Sequence, residues 1–108
     1  MDVLKLKDMV RGWFIGNFEP SVYKTEDFEV AVMLHPKDQQ WPAHYHKLAT
    51  EINLVLEGRL IIQDQLLVKD DIFIIHPFEV VKPQFLEDCR ILVVKTLSIP
   101  NDKYIVKE

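Results

Sequence analysis

His44-Tyr45-His46-Lys47-Leu48-Ala49-Thr50-Glu51-Ile52-Asn53-Leu54-Val55-Leu56-Glu57-Gly58-Arg59-Leu60-Ile61-Ile62 is the stretch whose reading decides the fold. Extended chain sends successive side chains to opposite faces, so His44 and His46 share a face, with Cα atoms roughly 6.5–7 Å apart. Both imidazoles then converge on one point. Residues 47–50 separate His46 from Glu51, a length that suits a hairpin loop and predicts that the strand opened by Glu51 lies beside the first. The carboxylate thereby joins the imidazoles. Glu57-Gly58 reads as the turn into Arg59-Leu60-Ile61-Ile62. Two imidazoles and a carboxylate are the donor types a divalent metal takes, whereas a solvated strand face has no need of the glutamate.

The same texture extends along the chain. Short runs rich in β-branched and aromatic residues predict strands over 12–17, 28–35, 43–47, 51–57, 59–64, 66–68, 71–76, 79–83 and 90–98. His35-Pro36, Trp41-Pro42, Asp64-Gln65 and His76-Pro77 punctuate them, and no long amphipathic helix is expected. Strand starts about 8–12 residues apart predict an all-β sandwich or barrel rather than parallel βαβ units.

Length, charge and hydropathy narrow the classes. The 108 residues suit one domain, and 48% apolar with 28% charged residues predicts a real core. A net charge of −4 leaves no basic stripe, which argues against a nucleic-acid partner. No apolar run approaches the ~18–20 residues of a spanning helix, and the start, Met1-Asp2-Val3-Leu4-Lys5-Leu6-Lys7-Asp8, lacks a hydrophobic signal core. No membrane partner is expected. A cytoplasmic protein is expected, in keeping with a single cysteine, Cys89, read as a structural thiol.

Two runs break the alternation. Ile72-Phe73-Ile74-Ile75 and Ile91-Leu92-Val93-Val94 are apolar at every position, so both faces of those strands need cover. A homodimer is the simplest cover. The aromatic and β-branched stretch Val10-Arg11-Gly12-Trp13-Phe14-Ile15 reads either as an arm exchanged at the dimer interface or as an ordinary core strand. The chain therefore divides into N-terminal strands or arm over 1–27, a barrel over 28–98 and a tail over 99–108.

These residues resemble the cupin superfamily, in particular its small single-domain, RmlC-like members. The family's first motif, Gly-x5-His-x-His-x3,4-Glu-x6-Gly, is matched by His44, His46, Glu51 and Gly58, with Asp38 where its first glycine stands. The second motif, Gly-x5-Pro-x-Gly-x2-His, aligns on residues 70–81, with Asp70, His76, Phe78 and Val81 at its Gly, Pro, Gly and His positions.

The resemblance implies a double-stranded β-helix, a jelly-roll barrel, whose mouth holds one divalent transition metal: Fe, Zn, Mn, Ni or Co. With valine at position 81, the implied ligand set is His44, His46 and Glu51, and a two-histidine, one-carboxylate set suits Fe(II) by geometry. His76 is a candidate replacement ligand or a capping residue beside Pro77. Asn53 and Trp41 are candidate ligand-binding residues, and His35 is read as ending its strand. No general base is assigned; Glu79, Lys82 and Lys95 are candidates only by proximity to the second motif or the last strand. Two functions follow from the resemblance: a metal-dependent enzyme on a small polar molecule, dioxygenase-like or sugar isomerase-like, or a non-enzymatic module that binds a small ligand.

Overall fold

A computed structural model describes residues 1–107. Its longest strands carry the cleanest sequence signals: β2 (Glu29–His35), β4 (Glu51–Glu57) and β9 (Cys89–Lys95). Around them run β1 (Trp13–Ile15), β3 (His44–Tyr45), β5 (Leu60–Ile62), β6 (Gln65–Leu67), β7 (Ile72–Ile75), β8 (Gln84–Phe85) and β10 (Tyr104–Ile105). One 3-10 turn, Leu6–Asp8, is the only helical element among the described residues. The strands form an antiparallel sheet ordered β1-β2-β9-β4-β7, facing the sheet β6-β5-β8 and the pair β10-β3. This is the expected all-β, double-stranded β-helix.

Turn chemistry explains where the chain reverses. Gly58, between β4 and β5, has φ +92°, and a Cβ there would strike the Asp88 carbonyl and approach the Cys89 sulfur to 2.7 Å. Only glycine suits such a site. Asp38, Asp70 and Phe78, the three residues that stand where the motifs have glycine, lie at φ 63°, 73° and 68°. The left-handed backbone is thus present at these three positions although the glycines are not.

Three sequence expectations are corrected. Residues 46–51 are not a hairpin: β3 pairs with β10 and bridges to Val81, while β4 pairs with β7 and β9. The loop crosses from one sheet to the other, and a four-residue spacing is equally compatible with that course. The strand expected over 79–83 reduces to the single bridge of Val81 to His44, with β8 following at Gln84–Phe85. Residues 104–105, placed in a tail, form β10 against β3, held by Tyr104 stacked on Tyr45 at 5.4 Å.

Alternation along the strands sets the core. Val55, Leu60, Ile62, Ile75, Val81, Phe85, Cys89, Ile91 and Val93 form one buried cluster between the sheets. The Cys89 thiol donates to the carbonyls of Arg59 and Glu87, and burial pushes its pKa up, as suits an inert thiol. The opposite face of the large sheet is also apolar and is left open: Leu34 is 69% exposed, Ile72 67% and Ile74 49%.

Candidate functional site

The first-motif residues meet at the barrel mouth. His44 is fixed by β3, whose backbone exchanges two hydrogen bonds with Val81, at 3.0 and 2.9 Å. His46 follows at the strand end, where its carbonyl accepts the Phe78 N–H at 2.7 Å. The crossing loop is tied from the far end of the chain: the buried Asp102 carboxylate accepts the N–H groups of Lys47, Leu48 and Ala49 at 3.1, 3.2 and 3.0 Å. Glu51 opens β4 immediately beyond. His44, His46 and Glu51 consequently line one cavity of about 220 Å³, with the imidazole rings 5.8 Å apart and His46 Nδ1 3.7 Å from a Glu51 oxygen.

Hydrogen bonding fixes the His44 tautomer. Its Nδ1 lies 3.0 Å from the Pro42 carbonyl, which can only accept, so Nδ1 carries the proton and Nε2 keeps a free lone pair. Burial lowers the His44 pKa, with Lys103 and Lys95 adding to it against the Pro42 bond. His46 is pushed down to about 4 by burial, reinforced by Lys95 and His44. Burial raises the Glu51 carboxyl, opposed by Lys95 and a hydrogen bond from Asn53. Both imidazoles are therefore neutral at pH 7, the form that ligates a metal.

The other expected site residues divide. Asn53 is buried on the Glu51 face of β4, with its amide 3.5 Å from the Glu51 carbonyl. Trp41 is half-buried at the cavity wall, 5.9 Å from the His44 ring, and its indole N–H donates to Gln39 at 2.7 Å. His76 is not brought to the site: it is exposed in the turn after β7, where its N–H donates to the Glu79 carboxylate and its carbonyl accepts the Glu79 N–H. That reversal keeps it on the surface, away from the cavity. Val81 is buried directly opposite His44 and offers no lone pair.

Three residues not assigned to the site by sequence belong to it, together with Lys95, a candidate base there by proximity alone. His35 ends β2 as expected, yet its ring is buried, stacked on Phe85 at 4.4 Å, and lines a second cavity with His44, Glu51 and Asn53. Gln39 Oε1 accepts the Trp41 indole N–H and so must also accept from His35 Nδ1, 2.6 Å away, which leaves His35 Nε2 as the lone pair. Arg11, Lys95 and Lys103 complete the mouth. Lys95 continues the inward rank Ile91, Val93, and that period of two was readable in the sequence. Arg11 and Lys103 arrive from the two terminal segments and carried no such signal.

The donor types fit a divalent metal, and the fixed His44 tautomer presents the nitrogen that would hold one. As the side chains stand, however, no three His, Cys, Asp or Glu among the described residues are close enough to enclose an ion. Among those residues no helix is long and apolar enough to cross a membrane.

No protein-family model matches the chain, and no curated protein does. Solved structures match its fold. An uncharacterised conserved protein with a double-stranded β-helix domain from Klebsiella pneumoniae superposes with a TM-score of 0.68 at 17% identity, over 100% of this chain and 99% of that one. A sugar phosphate isomerase from a cupin superfamily, of Silicibacter pomeroyi, gives 0.61 at 21%, over 79% and 59%. The pirin YhhW of Escherichia coli, in complex with nickel(II), gives 0.65 at 15%, over 82% and 39%. The chain spans three-fifths or less of the last two. It has the cupin fold, as a small domain.

Proposed function

We propose that the chain is a metal-binding cupin, active on a small polar molecule held at the barrel mouth. The observation that carries this is that three lone-pair donors, His44, His46 and Glu51, line one cavity, with both imidazoles driven to the neutral form by burial. A divalent ion there would supply Lewis acidity or a dioxygen site. The chain's own residues orient and enclose. Pro42 holds the His44 ring, Asp102 holds the loop that carries His46 towards Glu51, and Trp41 walls the cavity. The nickel-bound pirin and the sugar phosphate isomerase on the same fold support metal use and small-molecule chemistry. Val81 favours the second reading, a non-enzymatic ligand-binding module, because it withholds a donor at the position the second motif gives to histidine.

Elemental analysis of chelator-free protein beside the double variant His44→Ala, His46→Ala tests the metal. A divalent ion present in the first and lost in the second is expected; equal content overturns the reading. Oxygen uptake by the Fe(II)-loaded protein over small acids, phenols and sugars then separates oxygenase from binder. We further propose that a second copy of the chain covers the open apolar face at Leu34, Ile72 and Ile74, since aliphatic residues fill the outward positions where an exposed antiparallel sheet normally carries polar ones. Sedimentation should give a dimer that Ile74→Glu dissociates; a monomer throughout overturns this. The buried Cys89 thiol, with no cysteine to pair with, supports a cytoplasmic setting.

A further inference from the structure

We infer that the ligand of the mouth is a small organic anion, a carboxylate or a phosphate ester, gripped by Arg11, Lys95 and Lys103. All three line the same cavity as His44, His46 and Glu51. They come from separate parts of the chain: Arg11 precedes β1, Lys95 ends β9 and Lys103 precedes β10. Convergence of three like charges is costly unless something opposes them. None of the three makes an ion pair within 4.0 Å with a carboxylate of the described residues, although the protein as a whole carries −4.

The acids near them offset only part of that field: Glu51 and Glu29 both stand opposite Lys95 in register, and among the described residues no carboxylate lies within ion-pair distance of Arg11 or Lys103. Glu51 is the one carboxylate on the cavity itself. Asp102 and Glu29 line the adjoining hollow; Asp102 is committed to three backbone N–H groups, and Glu29 faces Lys95 across β2 and β9. The ammonium groups are also held in place. Lys103 Nζ lies 3.9 Å from the Trp41 ring centroid and Lys95 Nζ 5.1 Å from that of Trp13, so the indoles fix the cations at the cavity wall without neutralising them. Burial lowers the Lys103 pKa, with Lys95 and Arg11 adding to it against the pull of Glu51. A bound anion supplies what is missing.

This rests on the mouth being the ligand site, and not on the metal. Chelator-treated protein is titrated calorimetrically with inorganic phosphate, succinate and the neutral succinamide, at low and at moderate salt. Phosphate or succinate should bind and succinamide should not; which anion binds tells the ester class from the carboxylate class. Added salt should weaken the binding. The triple variant Arg11→Gln, Lys95→Gln, Lys103→Gln should lose at least about tenfold in affinity, and Lys95→Gln and Lys103→Gln singly should each weaken binding, while Lys69→Gln, the same one-charge change as either single variant but at an exposed turn, should not. Each lysine variant is also measured singly, so that misfolding of the triple variant leaves a readout. No binding of either anion, equal binding of the amide, or undiminished binding by the folded variants overturns the inference. Metal content, measured separately, reports on the metal reading alone.

Discussion

His44 and Val81 face each other across a narrow antiparallel bridge, each N–H donating to the other's carbonyl, at 3.0 and 2.9 Å. Directly opposed residues of such a pair send their side chains to the same face, about 4.5–5.5 Å apart at Cβ. The valine therefore occupies the place from which a fourth donor would reach the His44 side of the cavity. Val81→His should raise metal retention through dialysis at least severalfold over the parent, read by elemental analysis. Its thermal midpoint should fall, because an imidazole replaces a core aliphatic that is 3% exposed, at about 1–3 kcal/mol. Unchanged retention in a folded variant would show that position 81 does not address the donor set.

Asp102 is the tie between the C-terminal segment and the crossing loop. Removing a buried acceptor of three N–H groups leaves those donors unpaired. Asp102→Ala should cost about 2–4 kcal/mol of unfolding free energy, and Asp102→Asn less, because its amide oxygen still accepts. Burial alone raises the Asp102 carboxyl, but the N–H groups of Ala49, Lys47 and Leu48 together outweigh it and the net pKa is lowered. A depressed carboxylate contributes stability that is present above the unfolded value of 3.8 and lost as pH falls through the folded value. The gap between parent and Asp102→Asn, measured by denaturant unfolding, should be fully present above pH 3.8 and close as pH falls below it.

Phe78 holds φ +68° in a turn, costly for any side chain with a Cβ and more so for a bulky one. Its exposed ring stacks on Tyr45 at 6.2 Å. Phe78→Ala loses the ring and keeps the strain, whereas Phe78→Gly loses both. The glycine variant should be the more stable of the two by about 1 kcal/mol, the reverse of the usual order. Equal midpoints in urea would mean that the backbone relaxes out of the left-handed region.

That comparison shows what the sequence conceals. The second motif looks eroded because Asp70 and Phe78 stand at its glycine positions, yet the backbone there keeps φ 73° and 68°: conformation persists where residue type does not. Strands were legible wherever inward and outward residues alternate over several positions, as in β2, β4 and β9. The partner of β3 was not. Spacing alone cannot separate a hairpin from a crossing between sheets, and β3 finds β10, near the far end of the chain, through Tyr45 on Tyr104. The three first-motif residues were legible because period two and one loop length suffice to bring them near. Arg11, Lys103 and the inward face of His35 depend on where the termini and β2 pack, which no local pattern encodes.

His46 provides a test in acid. Its pKa is about 4 in the folded protein, against 6.5 unperturbed, because burial penalises the imidazolium and Lys95 and His44 add to that penalty. Between those values the unfolded chain binds the proton and the native one does not. Stability contributed by the neutral ring is thus complete above pH 6.5 and is lost progressively as pH falls towards 4. In metal-free protein, His46→Gln, which cannot titrate, should show a flatter acid limb of unfolding free energy over that window than the parent, and the two curves should run parallel above it. A parent curve no steeper than the variant's would place the folded pKa of His46 near its ordinary value, and with it remove the argument that burial keeps this ring neutral for a metal.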